Sequence, residues 1–418
     1  MSVEDSQLKQ LQTLLKGLVP TNSFYSQRLR EAGIDESIGS LEAFTKALPF
    51  TTKSELVDDQ TEHSPYGSNL TFSLNCYTRF NQTSATKGRP MIWLDTREDW
   101  EWMLDNWEVV YDNAAVRPGD KIYFAFSFGP FLGFWTAFES ATRLGCLCIP
   151  GGGLSSVARL RAIIQHQVKF LCCTPTYALH LAEVASAENI DLNTSAVETI
   201  IVAGEPGGSL PHVRNRITEL WSGAKLFDHY GMTEVGPVAY QDPDRQDIMR
   251  IIENSYFAEV VNPKTGEPVR SDEVGELVLT PLGRLGSPLL RYRTGDLVKP
   301  IEIEEKSEIR MGLEKGILGR SDDMIVARGV NLYPSAVDDV VRSCPGIAEY
   351  RVHVNQDQSL VEVSLEIELE NDISNEDPAH KLESALNSIF SLRIPVRIIE
   401  RGSLPRFEMK AKRWHYSD

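Results

Sequence analysis

Short apolar runs at residues 121–126, 146–149, 168–173, 198–203 and 225–229 alternate with stretches long enough to form a helix. Continuous rather than alternating hydrophobicity is what strands buried on both faces require, so the rhythm predicts a parallel sheet covered by helices on both sides. Turns rich in glycine or acid stand at the carboxyl ends of three of the runs: Gly151-Gly152-Gly153, AGEPGG at 203–208 and YGMTE at 230–234. That edge is where ligands of open parallel sheets bind.

The pattern differs on either side of this block. Upstream, Leu8, Leu11, Leu15 and Leu18 share one face of an amphipathic helix, the first of two helical stretches ahead of a strand-like segment at 70–80 and a polar one at 81–90. Downstream of Pro243, spaced strands at 256–261 and 275–282 predict a smaller β subdomain, followed by RYRTGDL at 291–297 and a charged, aromatic-poor stretch at 302–315. After GRSDDMIVARGVNLYP at 319–334, strands at 351–354, 360–367 and 396–399 alternate with helices at 334–342 and 380–390, which predicts a separate α+β domain. The fold class is therefore α/β: a large N-terminal domain, 1–321, with a helix-covered parallel sheet and a β subdomain, then a small mobile α+β domain, 322–418.

A chain of 418 residues is too long for one compact core, which agrees with that division. Lys and Arg total 42 against 59 Asp and Glu, a formal charge of -17, which excludes a general nucleic-acid or anionic-membrane surface but not a local basic pocket. The N-terminal residues carry acids where an export signal needs bases, and the most apolar stretch, 124–138, is broken by Gly129, Pro130 and Gly133 and is too short to span a bilayer. A cytoplasmic protein is expected. The cysteines at 76, 146, 148, 172, 173 and 344 include no CxxC pair, and those at 146, 148, 172 and 173 lie in apolar runs, where a free thiol behaves as a small hydrophobe.

Two polar stretches carry candidate chemistry. In DHYGMTEVGP, 228–237, a strand-like run breaks at Gly231, whose missing side chain permits a turn; Thr233 then offers a hydroxyl and Glu234 a carboxylate suited to magnesium. A strand ending in an ordinary surface turn fits the same residues. In NQTSATKGRP, 81–90, hydroxyl, small, basic and glycine residues suit a loop that wraps phosphates with backbone N–H groups, although the spacing is not Walker A. A polar surface loop is the competing reading.

Taken in order, TSATKGRP, AGEP, YGMTE, YRTGD, GRSDDMIVARGVNLYP and a terminal EMKAKR at 408–413 resemble the stations of the acyl-adenylate-forming ligases, in their phenylacetate-CoA ligase-like branch. The resemblance covers nearly the whole chain, and it is the ordered set, not any one motif, that is specific. It implies that a carboxylate attacks the α-phosphate of ATP to give an acyl-adenylate and pyrophosphate, after which a thiol displaces AMP. It also implies roles for individual residues. Thr83, Ser84, Thr86, Lys87 and Gly88 fall in the phosphate loop, and Gly204, Glu205 and Pro206 form the adenine-side wall. Tyr230, beside Gly231, lies near the adenine, while Thr233 and Glu234 hold the α-phosphate and magnesium. Asp296 accepts hydrogen bonds from the ribose hydroxyls, and Arg320 meets phosphate or ribose oxygens. Lys410 bridges the reacting carboxylate and phosphate, with Lys412 as its rival, and Asp322 is the hinge about which the C-terminal domain swings.

For several of these residues a plain structural role competes: Asp296 capping a turn, Asp322 and Asp323 as solvated acids, His229 ending its strand, and Phe126, Phe128, Phe131, Phe134 and Trp135 as core rather than acyl pocket. The phosphate loop departs from the common TSGTTGxP, with Ala85 for a glycine and Lys87 for a threonine. Because Cys344 is the only cysteine after Cys173, no zinc is expected, although several relatives carry one. The expected cofactors are ATP, magnesium and coenzyme A, and the substrate an aryl or other apolar acid. A carrier-protein phosphopantetheine or an amine is the alternative acceptor. A non-catalytic nucleotide-binding relative is a third reading, against which the joint retention of Glu234, Asp296, Arg320 and Lys410 argues. A homodimer is the default assembly.

Overall fold

The computed structural model describes residues 2–83, 90–205, 208–305, 308–321, 323, 325–327, 330–355, 361–370, 377–407 and 412–417. Four helices open the chain: α1 (Val3–Leu18), α2 (Ser23–Glu31), α3 (Leu41–Ala47) and α4 (Lys53–Glu62). Two were expected. Side-chain caps from Asn22, Ser40 and Thr52 start the later helices, which are too short for apolar periodicity to register. Leu11, Leu14, Leu15 and Leu18 of α1 pack with Tyr25, Leu29 and Phe44 against Leu282 and Leu290. An antiparallel pair, β1 (Tyr77–Gln82) and β2 (Ile92–Thr96), brackets the polar loop at 83–90 and leads into α5 (Arg97–Asn113).

The five apolar runs are strands of one sheet: β3 (Lys121–Phe124), β4 (Leu147–Pro150), β5 (Phe170–Cys173), β6 (Thr199–Val202) and β7 (Lys225–Met232), all mutually parallel. The crossovers are α6 (Leu132–Arg143), α7 (Ser156–Gln165), α8 (Pro175–Ala187) and α9 (Pro211–Leu220). Alternate residues of each strand feed two cores. Ile122, Phe124, Phe170 and Cys172 pack with Trp107 and Tyr111 of α5 and Ala137 of α6, whereas Tyr123, Leu171, Cys173 and Ile200 pack with Leu160, Leu181 and Ile217 on the opposite face.

The sheet is not purely parallel. Beyond β7 it continues through antiparallel β8 (Gly236–Gln241) and β9 (Ile248–Ile251). A second sheet holds β10 (Tyr256–Val261), β11 (Gly275–Pro281), β12 (Tyr292–Val298) and the short β15 (Gly319–Arg320). The charged stretch at 302–315, read only as polar chain, forms the hairpin β13 (Pro300–Glu305) and β14 (Glu308–Glu314), which pairs with β9 and closes one edge of the large sheet.

The C-terminal unit begins with the pair β16 (Ile325–Ala327) and β17 (Val330–Leu332) and continues through α10 (Pro334–Ser343), β18 (Ile347–Asn355), β19 (Glu362–Leu369), α11 (Pro378–Phe390) and β20 (Val396–Ile398). An unforeseen strand, β21 (Trp414–Ser417), runs parallel to β18 and completes a four-stranded sheet with its own apolar core. Two ion pairs tie this unit to the large sheet's helices: Arg216 to Glu370 at 2.6 Å and Arg406 to Glu183 at 3.2 Å. Among the described residues no helix is long and apolar enough to cross a membrane.

Candidate active site

The site is built on the carboxyl end of β7. The strand does not break at Gly231, as the composition suggested; it runs on to Met232 and hairpins into β8 with a register shift between Tyr230 and Gly231. Glycine is needed there for close approach rather than for a turn, because a Cβ at Gly231 would lie 2.8 Å from the carbonyl oxygen of Gly236. The conformational demand falls on Gly236 instead, at φ +88.

The shift carries Tyr230 towards β12, where its hydroxyl donates to Asp296 Oδ2 at 2.6 Å. Asp296 lies opposite Arg320 in the β12–β15 register, and Arg320 Nη1 reaches Asp296 Oδ1 at 3.1 Å. Burial, followed by the charge of Asp296, holds the Tyr230 phenol well above its usual range, so it remains a proton donor. Tyr292, also on β12, is pushed up by burial and then by Glu234, with Arg320 and Asp296 acting on it as well, so the three charged groups share one electrostatic neighbourhood. Three sequence stations that lie far apart along the chain thus meet at one place.

Glu234 is buried at the β7–β8 turn, its carboxylate 3.4 Å from Nζ of Lys53 on α4. Lys53 was missed by the sequence reading, and nothing local marks it: it is an ordinary first-turn residue after the Thr52 cap. Neighbouring Thr233 is half-buried. Among the described residues no group of three or more His, Cys, Asp or Glu side chains could hold a metal by itself. Magnesium, however, normally takes only one or two protein carboxylates and completes its shell with phosphate oxygens and water, so buried Glu234 fits that share.

At the neighbouring strand end, Gly204 adopts φ +93 and Glu205 Oε1 accepts the backbone N–H of Thr176, in the first turn of α8, at 2.8 Å. Ser209 Oγ donates to Asp228 Oδ2 at 2.6 Å, and Gly208 packs so closely that a Cβ there would lie 2.4 Å from Asp228 Cγ. Burial pushes Asp228 up to about 6, against the help of Ser209 and Arg214. Burial likewise pulls His229 down to about 4, leaving it neutral at physiological pH. His229 does not end its strand: it lies within β7, donates from Nδ1 to Ala239 O at 2.8 Å, and packs 4.3 Å from the Trp107 ring.

Thr83 closes the base of the polar loop, with its N–H on Met91 O at 2.9 Å and its hydroxyl accepting from Met91 N at 3.0 Å. Ser84, Ala85, Thr86, Lys87, Gly88, Pro206, Asp322 and Lys410 lie outside the described residues. Lys412 is described and exposed. Of the aromatic group beyond β3, Phe126 is core and stacks on Phe134 at 4.2 Å; Phe128 and Phe131 are half-buried and Trp135 is exposed.

The sequence pattern of the AMP-binding enzyme family matches residues 82–281, and that of the AMP-binding enzyme C-terminal domain matches 329–415. Phenylacetate-coenzyme A ligase of Pseudomonas putida is 30% identical over 98% of this chain and 93% of that protein. The same-named ligase of Escherichia coli K12 is 30% identical over 99% of this chain and 95% of its own length. Among solved structures, 2-hydroxyisobutyryl-CoA ligase in the postadenylation state with R3-HIB-AMP superposes at a TM-score of 0.92 with 26% identity, covering 99% of this chain and 89% of that one. Its open conformation with 2-HIB-AMP and CoA gives 0.74 at 27% identity, covering 99% and 91%. The arrangement of the two units here is thus the nearer to the postadenylation state.

Proposed function

The chain belongs to the AMP-binding enzyme family, in its phenylacetate-CoA ligase-like branch, and from that premise we infer how its own residues divide the work. It activates a carboxylic acid with ATP, forming an acyl-adenylate and pyrophosphate, and then transfers the acyl group to the thiol of coenzyme A with release of AMP. The observation that carries the residue assignments is the meeting of Tyr230, Asp296 and Arg320 beside Glu234 at the carboxyl edge of the sheet.

Asp296, its side chain fixed by Tyr230 and Arg320, accepts hydrogen bonds from the ribose hydroxyls. Gly204, Glu205 and Pro206 wall the adenine, with Tyr230 and Gly231 alongside. The acid's carboxylate oxygen attacks the α-phosphorus as pyrophosphate leaves, and negative charge is held on the phosphoryl oxygens. The Thr233 hydroxyl and the Lys410 ammonium would meet that charge, stabilising the transition state more than bound ATP. Thr83, Ser84, Thr86, Lys87 and Gly88 hold the β- and γ-phosphates, and Lys53, close enough to Glu234 to share its charge, adds a cation at the same wall. Glu234 would hold magnesium, which neutralises phosphate charge when bound.

The acid is aryl or otherwise apolar, a reading supported by the near full-length relatives and by Phe126, Phe128 and Phe134 beyond β3. Residues 1–321 and 322–418 act as two bodies hinged at Asp322. The six cysteines are all free thiols, in keeping with a reducing compartment, and we place the enzyme in the cytoplasm, as a homodimer by default. Incubation with ATP, magnesium and a panel of carboxylic acids, read by pyrophosphate exchange and by CoA-thioester formation, tests the whole reading. Exchange with no thioester would favour a carrier protein or an amine as acceptor. ATP binding without exchange for any acid would favour a non-catalytic relative.

A further inference from the structure

The two walls of the phosphate site are joined by a buried ion pair that no motif announces. Asp95 on β2 and Arg284 in the loop after β11 are both fully buried, and Arg284 Nε donates to Asp95 Oδ1 at 2.7 Å. The other carboxylate oxygen accepts from Asn81 Nδ2 at 3.2 Å, and Asn81 stands on β1 just ahead of Thr83 and the phosphate loop. On its far side the same guanidinium donates through Nη1 to the carbonyls of Thr233 at 3.1 Å and Glu234 at 2.6 Å. The Trp93 ring lies 5.1 Å below it.

The loop that carries Arg284 is itself fixed in place. A Cβ at Gly283 would come within 2.3 Å of Trp102, and one at Gly286 within 2.2 Å of Asp99. Gly286 N donates to Asp99 Oδ1 at 3.0 Å, and Ser287 Oγ to Leu94 O at 2.5 Å. The arginine therefore enters the interior from a rigid base.

Stability alone does not explain such a pair, since desolvation offsets the attraction of two buried charges and apolar residues would fill the space as well. What arginine supplies is direction: a planar fork whose donors face two ways at once. We propose that Asp95 and Arg284 are positioning residues that set the Thr233–Glu234 turn against the stem of the phosphate loop, so that the groups meeting the ATP phosphates from two sides keep a fixed separation. The inference rests on the adenylation reading above. Contacts to the phosphates depend on the pair; adenosine, held at the Asp296 end, does not.

Arg284→Lys tests this, because an ammonium keeps the charge yet cannot meet the carboxylate and both carbonyls together. With an acid that supports pyrophosphate exchange in the parent enzyme, the variant should lose roughly ten- to hundredfold in exchange rate, as expected for reacting groups displaced by about an ångström. Adenosine affinity should stay within about twofold, and adding Asn81→Ala should cost little more, because the same link is already cut. Parent-like exchange, an equal loss of adenosine binding, or fully additive effects would each overturn the proposal. If Arg284→Lys does not fold, Asp95→Asn is measured in the same two assays, where a selective loss of exchange supports the positioning role and parent-like exchange or an equal loss of adenosine binding overturns it. Failure of the parent enzyme to exchange with any acid would defeat the functional reading instead, whereas exchange that ignores the substitution defeats only the positioning role.

Discussion

The hydroxyl of Tyr230 lies 2.6 Å from Asp296 Oδ2, so a residue of the large sheet fixes a carboxylate of the second sheet, the one proposed to meet the ribose. Tyr230→Phe removes that donor and leaves the buried carboxylate with one hydrogen bond fewer, at a cost of about 1 to 3 kcal/mol. A ribose contact of the kind proposed is the same before and during reaction, so KM for ATP should rise roughly tenfold while kcat changes little. Steady-state exchange kinetics and thermal melting check both halves, and an unchanged KM with an unchanged melting temperature would refute the coupling.

The hinge assignment separates the two half-reactions. Lys410→Ala should slow adenylation about a hundredfold or more, as for loss of one preorganised oxyanion donor, while CoA attack on supplied acyl-AMP survives. Asp322→Pro, which fixes φ near roughly -65°, should do the reverse. Equal loss of both half-reactions in both folded variants would show that neither residue has the role given to it.

Asp228 and His229 are neighbours with opposite pH signatures. Asp228 in the folded chain titrates at about 6 against 3.8 ordinarily, so the unfolded chain ionises first and stability declines as pH rises from about 4 to 6. His229, at about 4 against 6.5, contributes stability that is complete above about 6.5 and is lost as pH falls towards 4. Asp228→Asn removes only the first effect. It should raise stability by up to about 3 kcal/mol above pH 7 and by nothing below about pH 4, because the shift spans about two pKa units. Melting curves across that range decide it; a gain independent of pH would show that Asp228 is not the group responsible.

The ion pairs Arg216–Glu370 and Arg406–Glu183 hold the C-terminal unit in its present arrangement, yet both acids are more than a third exposed. Such pairs contribute at most about 1 kcal/mol each. Glu183→Gln with Glu370→Gln should therefore favour the CoA half-reaction over adenylation by no more than about thirtyfold, the equivalent of about 2 kcal/mol for the two pairs together, and high salt should mimic it in the parent. A parent whose ratio of half-reactions ignores salt would argue that the pairs are incidental.

The parallel strands were legible because continuous apolar runs are the direct imprint of burial on both faces. The β13–β14 hairpin was not, because Glu302 and Glu304 lie on the edge strand β13, where charge is tolerated and discourages further pairing, and Glu308 and Arg310 lie on the part of β14 that runs beyond its pairing with β9. Strand β21 is only four residues long and, among the described residues, pairs with β18 alone. Around the candidate site, Thr233, Glu234 and Asp296 could be singled out from the sequence because each sits in a compact motif. Lys53 and Arg284 could not, since the first meets Glu234 across 181 residues and the second meets Asp95 across 189. Gly231 stands out in the sequence for the wrong reason: its requirement comes from the opposing strand, which the local sequence does not contain.

Because successive residues of β5 face opposite cores, the adjacent thiols Cys172 and Cys173 report on different halves of the molecule. Burial holds both well above the usual thiol range and shields them in the native chain, whereas Cys76 is exposed and Cys146, Cys148 and Cys344 are half-buried. With Cys76, Cys146, Cys148 and Cys344 replaced by serine, alkylation under native conditions becomes a pair of clocks: modification at Cys172 should time the detachment of the α5–α6 layer, and modification at Cys173 that of the α7–α9 layer. Two neighbouring thiols thereby let a mass spectrometer ask whether this large sheet sheds its two coats together or one at a time.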